Sequence, residues 1–329
     1  MAASPLLSLS TSDTDRARIE AALRDSVRTP DPYMTELAGH LLLAGGKRLR
    51  PVMAVVAGLS DGRPGVADEV VLGGVACELV HVGSLYHDDV MDEAETRRGV
   101  ETVNAKWGNL QAIVAGDFLL SRASEIAASL GTEVAGLLAN TIGRLCFGQI
   151  GEVRTTYQVG RTEEQYFESI EGKTASLFGT SARIGAIVAD LPRPWVDALT
   201  AYGNAYGMLF QIVDDLLDLV ATDAELGKPA GHDMEEGVYT LPVLRVLAGS
   251  TPAAEELRDL LGHPLGPAER DKALAIVRSS DGIDQAFQVG ADYVRRARAA
   301  IDILPDNAVT AALAAAPQAL LDTVRRERG

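Results

Sequence analysis

The stretch Leu79-Val80-His81-Val82-Gly83-Ser84-Leu85-Tyr86-His87-Asp88-Asp89-Val90-Met91-Asp92 decides how the chain is read. The residues that lead into it, among them Leu72, Val75, Ala76, Leu79, Val80 and Leu85, recur at three- and four-residue spacing, which predicts a long buried helix near 66–93. Asp88 and Asp92 are four apart, so both carboxylates project from one helical face, a turn from each other. A DDxxD pattern is ordinarily a solvated helix end. When the helix beneath it is apolar, two repelling carboxylates are drawn out of water and need a cation, for which hard divalent ions with oxygen ligands are suited.

The same device recurs in Phe210-Gln211-Ile212-Val213-Asp214-Asp215-Leu216-Leu217-Asp218, where Asp214 and Asp218 share a face and Gln211 lies one turn earlier. Mg²⁺ keeps several waters and binds one or two carboxylates plus phosphate oxygens, so two such clusters describe a cage for a diphosphate held through metal. Cations complete the picture. Gly45-Gly46-Lys47-Arg48-Leu49-Arg50-Pro51 gathers three at a glycine turn that opens a helix, where backbone N–H groups and the helix dipole also favour an anion. This is either a basic surface cap or an anion site, and it lacks Walker spacing. Arg97-Arg98, Lys173-Thr174 and Lys228 follow the acidic clusters and supply further anion ligands. His81, seven residues before Asp88 on the same face, is read as part of the cavity rather than a core histidine; His87 and His232 are read as peripheral.

Helical periodicity extends across the chain and strand-like alternation is hard to find, so the fold is predicted all-α. Helices are expected near 16–27, 32–44, 48–59, 66–93, 109–130, 132–152, 163–188, 193–221, 239–249, 253–262, 267–279, 284–302 and 307–326. Length alone, at 329 residues, suggests two domains, but no Pro/Gly/Ser-rich linker separates them; one helical domain over 16–329 behind a flexible tail at 1–15 is expected. Thirty Lys+Arg against forty-six Asp+Glu give a net charge of −16, a field that repels nucleic acid and makes metal ions necessary for a polyanionic ligand. The two cysteines, Cys77 and Cys146, show no metal or disulfide spacing, which fits a cytoplasmic protein. Glu78, His81 and Asp88 interrupt the most apolar early stretch, so no membrane span is expected.

Six ordered segments, GGKRLRP, ELVHVGSLYHDDVMDEAETRRG, AGDFLL, EGKTASLF, FQIVDDLLDL and GKPAGHDMEEGVYTLPVL, make the chain closely resemble the trans-type polyprenyl diphosphate synthases from about Gly39 to Arg245. The resemblance implies an all-α isoprenoid-synthase bundle around an apolar cavity, and an Mg²⁺-dependent prenyltransferase, with three ions per site, that condenses isopentenyl diphosphate head-to-tail with an allylic diphosphate. By that resemblance Asp88, Asp89, Asp92, Asp214, Asp215 and Asp218 hold metal; Lys47, Arg50, His81 and Arg98 hold isopentenyl diphosphate; and Arg97, Lys173, Thr174, Gln211 and Lys228 contact the allylic diphosphate. Lys173 and Gln211 count with Asp88, Asp89, Asp92 and Asp214 as catalytic. Asp117 in AGDFLL fits the pattern but is as well explained by packing. Val238 is the departure, since many relatives carry lysine there.

Product length is expected to follow from the helix before Asp88, where Ser84, Gly83, Val80 and Cys77 offer no aromatic block and Phe147 is a candidate for a deeper floor. A hepta- to decaprenyl product is expected, with a farnesyl or geranylgeranyl synthase as the alternative. The lipid product is one that would be handed to a membrane. A homodimer formed through 109–130 is implied by the resemblance. A terpene cyclase and a non-catalytic partner subunit are the rival readings; the second Asp cluster and the Gly45–Pro51 site weigh against both.

Overall fold

The structure is a computed structural model that describes Leu6, residues 12–222 and residues 229–328; Lys228 lies outside the described residues. The helices are α1 (Ser12–Ser26), α2 (Pro32–Leu43), α3 (Leu49–Gly58), α4 (Asp68–Met91), α5 (Val103–Trp107), α6 (Asn109–Ser129), α7 (Thr132–Thr155), α8 (Glu163–Ile170), α9 (Ser176–Val188) and α10 (Arg193–Val220). After them come α11 (His232–Glu235), α12 (Leu241–Leu247), α13 (Pro252–Leu260), α14 (Pro267–Ser279), α15 (Gly282–Ala300) and α16 (Ala308–Arg328). The all-α expectation holds: among the described residues the strands are a two-residue antiparallel hairpin, β1 (Thr96–Arg97) and β2 (Val100–Glu101), with Arg97 opposite Val100.

Capping chemistry sets many boundaries. Asp31 and Thr162 cap α2 and α8 by accepting from Tyr33 N and Gln165 N, and Thr162 with Gln165 forms a reciprocal capping box. At the N-terminus structure begins earlier than expected. Leu6 is buried and α1 starts at Ser12, with Arg18 bridging Asp15 at 2.9 Å and Asp68 of α4 at 2.6 Å.

α4 packs on α3, α6 and α9, and α10 runs beside α9, α15 and α16. Two apolar clusters form the interior. One gathers α4 with α3, α6 and the start of α10, through Val75, Leu79, Val80 and Tyr202; the other gathers the end of α10 with the C-terminal helices, through Leu209, Ile212, Leu216 and Val277. α10 therefore runs from one cluster to the other and delivers its Asp-rich end beyond the first.

Two expectations are corrected. α4 does have the length and apolarity to cross a membrane, which the interruptions at Glu78, His81 and Asp88 were expected to prevent, yet 72% of its most apolar window is buried within the fold. It is a core helix. The expected single helix 163–188 is broken by a π-helical turn, Glu171–Ala175, that inserts an extra residue between α8 and α9. It lies in close contact with α7. A Cβ at Gly148 would lie 2.4 Å from Lys173 N, and one at Gly172 would lie 2.7 Å from the Arg144 carbonyl, so α7 and the turn touch backbone to backbone.

Candidate active site

The last turns of α4 and α10 open on a polar cavity of about 170 Å³ whose walls include Asp92, Glu152, Lys173, Gln211, Asp214, Asp215, Asp233 and Glu236. Both acidic motifs thus contribute to one space. Burial raises Asp88, while Lys173 and Arg97 pull it back down. Asp92 is pushed up to about 6 by partial burial and by the neighbouring Asp88 charge, with Glu236 adding to the repulsion. Lys173 lies among these carboxylates. Its Nζ donates to Glu152 at 2.6 Å, and although burial opposes its charge, Glu152, Asp88 and Asp92 outweigh burial and hold it protonated.

Asp89 and Asp215 stand differently from the other expected metal ligands. Asp89 is fully buried and one oxygen accepts from Arg97 Nε; its other oxygen, Oδ2, is buried with no hydrogen-bond partner. Asp215 uses both oxygens internally, accepting from Tyr166 Oη at 2.5 Å and Gln211 Nε2 at 2.9 Å, and burial lifts it well above the carboxylate range. Gln211 in turn accepts from Thr174 Oγ1 at 2.9 Å. The π turn, α8 and α10 are thereby joined by a chain of polar contacts that fixes Gln211 and Thr174 beside the cavity. Asp214 stands on the cavity side and its charge is felt by Lys47, whose own pKa burial lowers. Asp218 is buried and accepts weakly from Asp233 N at 3.4 Å.

The basic turn is built around Arg48, which carries no assigned role in the sequence reading. Arg48 adopts the left-handed region at φ 51° and is only 3% exposed. It bonds Glu20 of α1 at 2.7 Å, Glu78 of α4 at 3.2 Å and the Leu42 carbonyl at 2.6 Å. Turned inward, it leaves Lys47 and Arg50 on either side. Arg50 stacks over Phe178 at 4.8 Å, and burial brings it down to about 10 against the field of Glu78. Arg98 reaches back from the hairpin to the Gly45 carbonyl at 2.5 Å. His81 stands near both: burial, then Arg50, Arg98, Arg97 and Arg48, drive its pKa well below the ordinary imidazole value, so the ring is neutral.

The chain-length positions divide. Ser84 is half-buried and its hydroxyl donates to the His81 carbonyl at 2.8 Å; Cys77 and Val80 are packed in the core. Gly83 does not point toward a tunnel: its Cβ direction meets the Gly116 carbonyl at 3.1 Å and Leu119 at 3.4 Å on α6. Phe147 is no floor either, because it is 81% exposed on the outer side of α7. Tyr86 is buried on another face and donates to the Leu37 carbonyl at 2.8 Å. His87 lies outside the cavity, 3.2 Å from the Ile113 carbonyl, with Asp117 at 3.5 Å.

Four residues at or beneath the cavity escaped the sequence reading. Glu152, Arg161 and Tyr166 come from the end of α7, the loop after it and α8, and carry no motif; Glu78, inside ELVH, looked like an interruption of an apolar run and is the buried partner of Arg48. Asp233 and Glu236 were within a quoted segment without a role.

The donor set suits Mg²⁺ in a particular way. Carboxylates are its preferred side chains, and the orphan Asp89 Oδ2 is an acceptor with nothing to accept from. Among the described residues no three Asp, Glu, His or Cys side chains converge on one point. An ion here would therefore rest on one or two carboxylates of the two motifs and complete its shell with water and ligand oxygens.

A model of the polyprenyl synthetase family matches residues 31–277. The nonaprenyl diphosphate synthase of Mycobacterium tuberculosis is 40% identical over 300 residues, covering 91% of this chain and 89% of that protein. The heptaprenyl diphosphate synthase component 2 of Geobacillus stearothermophilus is 38% identical, covering 89% of this chain and 91% of that one. A solved polyprenyl synthase from Caulobacter crescentus CB15, complexed with calcium and isoprenyl diphosphate, superposes with a TM-score of 0.89 at 31% identity, covering 96% of each chain. With the family's model spanning three quarters of the chain, and a cavity that joins both acidic motifs to Lys173, the chain belongs to the polyprenyl synthetase family.

Proposed function

We propose that this prenyltransferase condenses isopentenyl diphosphate with an allylic diphosphate and releases a medium- to long-chain polyprenyl diphosphate, hepta- to decaprenyl. The observation that carries the reading is the division of the site by charge: carboxylates of α4 and α10 around one cavity, with Lys47 of the arginine-anchored turn opposite Asp214. A diphosphate on the acidic side needs divalent metal, and Mg²⁺ held by Asp88, Asp92 and Asp214, three ions in all, supplies charge neutralisation for the departing diphosphate. Lys173 adds a fixed cation to that leaving group. The Gln211 side chain and the π-turn carbonyls offer dipoles to an allylic cation. Arg50, Arg98 and Lys47 hold the second diphosphate, and neutral His81 contributes a hydrogen bond rather than a charge. The names of the aligned relatives, nonaprenyl and heptaprenyl synthases, support the long product.

The test is to incubate purified protein with Mg²⁺, isopentenyl diphosphate and allylic primers of increasing length, and to chromatograph the dephosphorylated products. Products of 35 to 50 carbons are expected, and Ser84→Phe should shorten them; an unchanged distribution in Ser84→Phe would remove that turn from control of length. Farnesyl or geranylgeranyl products would return the alternative. The Geobacillus relative is named as one component of a synthase, which supports a second reading, that turnover requires a partner chain; elongation by this chain alone would dismiss it.

A homodimer is proposed on the exposed apolar side chains of α6 and α7, among them Leu110, Ile113, Val114, Phe147, Ile150 and Val153.

A further inference from the structure

Arg161 stands immediately before the capping box of α8 and is 6% exposed. It lines the same cavity as Lys173 and Asp214. Its Nη1 donates to the Tyr239 carbonyl at 3.1 Å and its guanidinium lies 5.6 Å from the Tyr166 ring. Nε and Nη2 have no hydrogen-bond partner although both are buried. A guanidinium carries five N–H groups, and leaving buried ones unmade is costly, so the arrangement calls for an acceptor. These two nitrogens form one edge of the planar group, the edge that matches two oxygens of a phosphate or carboxylate in parallel. The Tyr239 carbonyl takes the remaining nitrogen and so fixes which edge is left. The nearby carboxylates, Glu152 and Asp215, are already engaged, by Lys173 and by Tyr166 with Gln211.

We propose that the Nε/Nη2 edge of Arg161 binds two oxygens of a diphosphate group in the acidic cavity, as a direct cationic ligand beside Lys173. That the anion is a diphosphate rests on the function proposed above; that the site takes an oxyanion rests on Arg161 itself. The same cavity is lined by Val238, which precedes the Tyr239 carbonyl that holds Arg161. A cation returned at position 238 would therefore enter the same space from the adjoining residue.

The experiment measures binding of inorganic diphosphate in the presence of Mg²⁺ by calorimetry, steady-state KM and kcat for both substrates, and ligand-free melting. It compares wild type, Arg161→Lys, Arg161→Met and the double variant Arg161→Met/Val238→Lys. Loss of a charge-assisted pair should weaken diphosphate binding in Arg161→Met roughly ten- to a hundredfold. Arg161→Lys, which keeps charge without the fork, should fall between, and Val238→Lys should recover part of the loss. KM for the allylic substrate should rise while that for isopentenyl diphosphate stays within about twofold. Unchanged diphosphate binding in the Lys and Met variants overturns the proposal. So does a loss that tracks a drop in ligand-free melting and is not recovered by Val238→Lys, since Arg161 would then be only a counter-charge for Glu152 and Asp215. Wild type that binds diphosphate through Arg161 but fails to elongate would sink the proposed function and leave the oxyanion site standing.

Discussion

Four arginines around one imidazole decide what His81 can do. The half-buried ring loses solvent and feels Arg50, Arg98, Arg97 and Arg48, and its pKa lies well below the usual value. In the unfolded chain the same ring takes up a proton near pH 6.5. The unfolded state therefore binds more protons below that pH, and His81 costs stability as pH falls beneath about 6.5, by up to ~1.4 kcal/mol for each pH unit. His81→Gln should remove this component. Urea unfolding of both proteins between pH 7.5 and 5.5 measures it, and identical pH slopes would show that the ring is not held neutral. The sequence placed His81 in the cavity by its spacing from Asp88. Its charge could not be read there, because it depends on arginines 16 to 33 residues away in either direction. The same limit hides what else the two Asp motifs meet: Arg97 bonds one oxygen of Asp89, and Tyr166 one oxygen of Asp215, from separate elements.

At the scale of elements, the π turn and the Arg48 anchor position the two halves of the site. Gly148 and Gly172 let α7 and residues 171–175 meet at backbone distance. Gly148→Ala places a methyl 2.4 Å from Lys173 N and 2.6 Å from the Ser169 carbonyl. Overpacking of this kind costs about 1–3 kcal/mol, and displacing Lys173 should raise KM for the allylic substrate more than for isopentenyl diphosphate. Melting temperature and the two KM values check this; equal changes in both would place the effect elsewhere. Arg48→Met leaves Glu78 buried without its partner, which should destabilise by about 3–5 kcal/mol, whereas Arg48→Met/Glu78→Gln should recover a large part. Denaturant midpoints of the single and double variants decide it. Most helix positions were legible in the apolar spacing, since burial of one face is a local pattern. The π turn, which lies against α7, was not. The burial of α4 was legible in its spacing, but Glu78 reads as a break in it until its partner, thirty residues upstream, is seen.

For the whole molecule, a net charge of −16 is compatible with negatively charged substrates because Lys173 and Arg161 stand in the wall of the acidic cavity itself. The apolar surface is similarly localised. Leu110 and Phe147 are 71% and 81% exposed, with Ile113, Val114, Ile150 and Val153 on the same two helices. Large apolar side chains left in water in such groups mark association surfaces. Phe147→Asp combined with Ile150→Asp should convert the proposed dimer to monomers in sedimentation velocity without lowering melting cooperativity; a dimer that persists would relocate the interface, and a monomeric wild type would remove it. The α6 part of this surface lies within the stretch 109–130 expected to pair; Phe147, expected in the interior, is exposed instead, because a helix that is apolar on two faces does not say which one meets solvent.

The Arg48 anchor has a consequence for how the two halves of the site are completed. Glu20, Glu78 and the Leu42 carbonyl hold the basic turn, the proposed socket for the nucleophile, from within the chain itself. The acidic side has no ready-made three-ligand point among the described residues and takes its final form around its cargo. On the proposed function, the nucleophile's diphosphate would then meet a turn already arranged, while the electrophile's would complete its own site with metal and water.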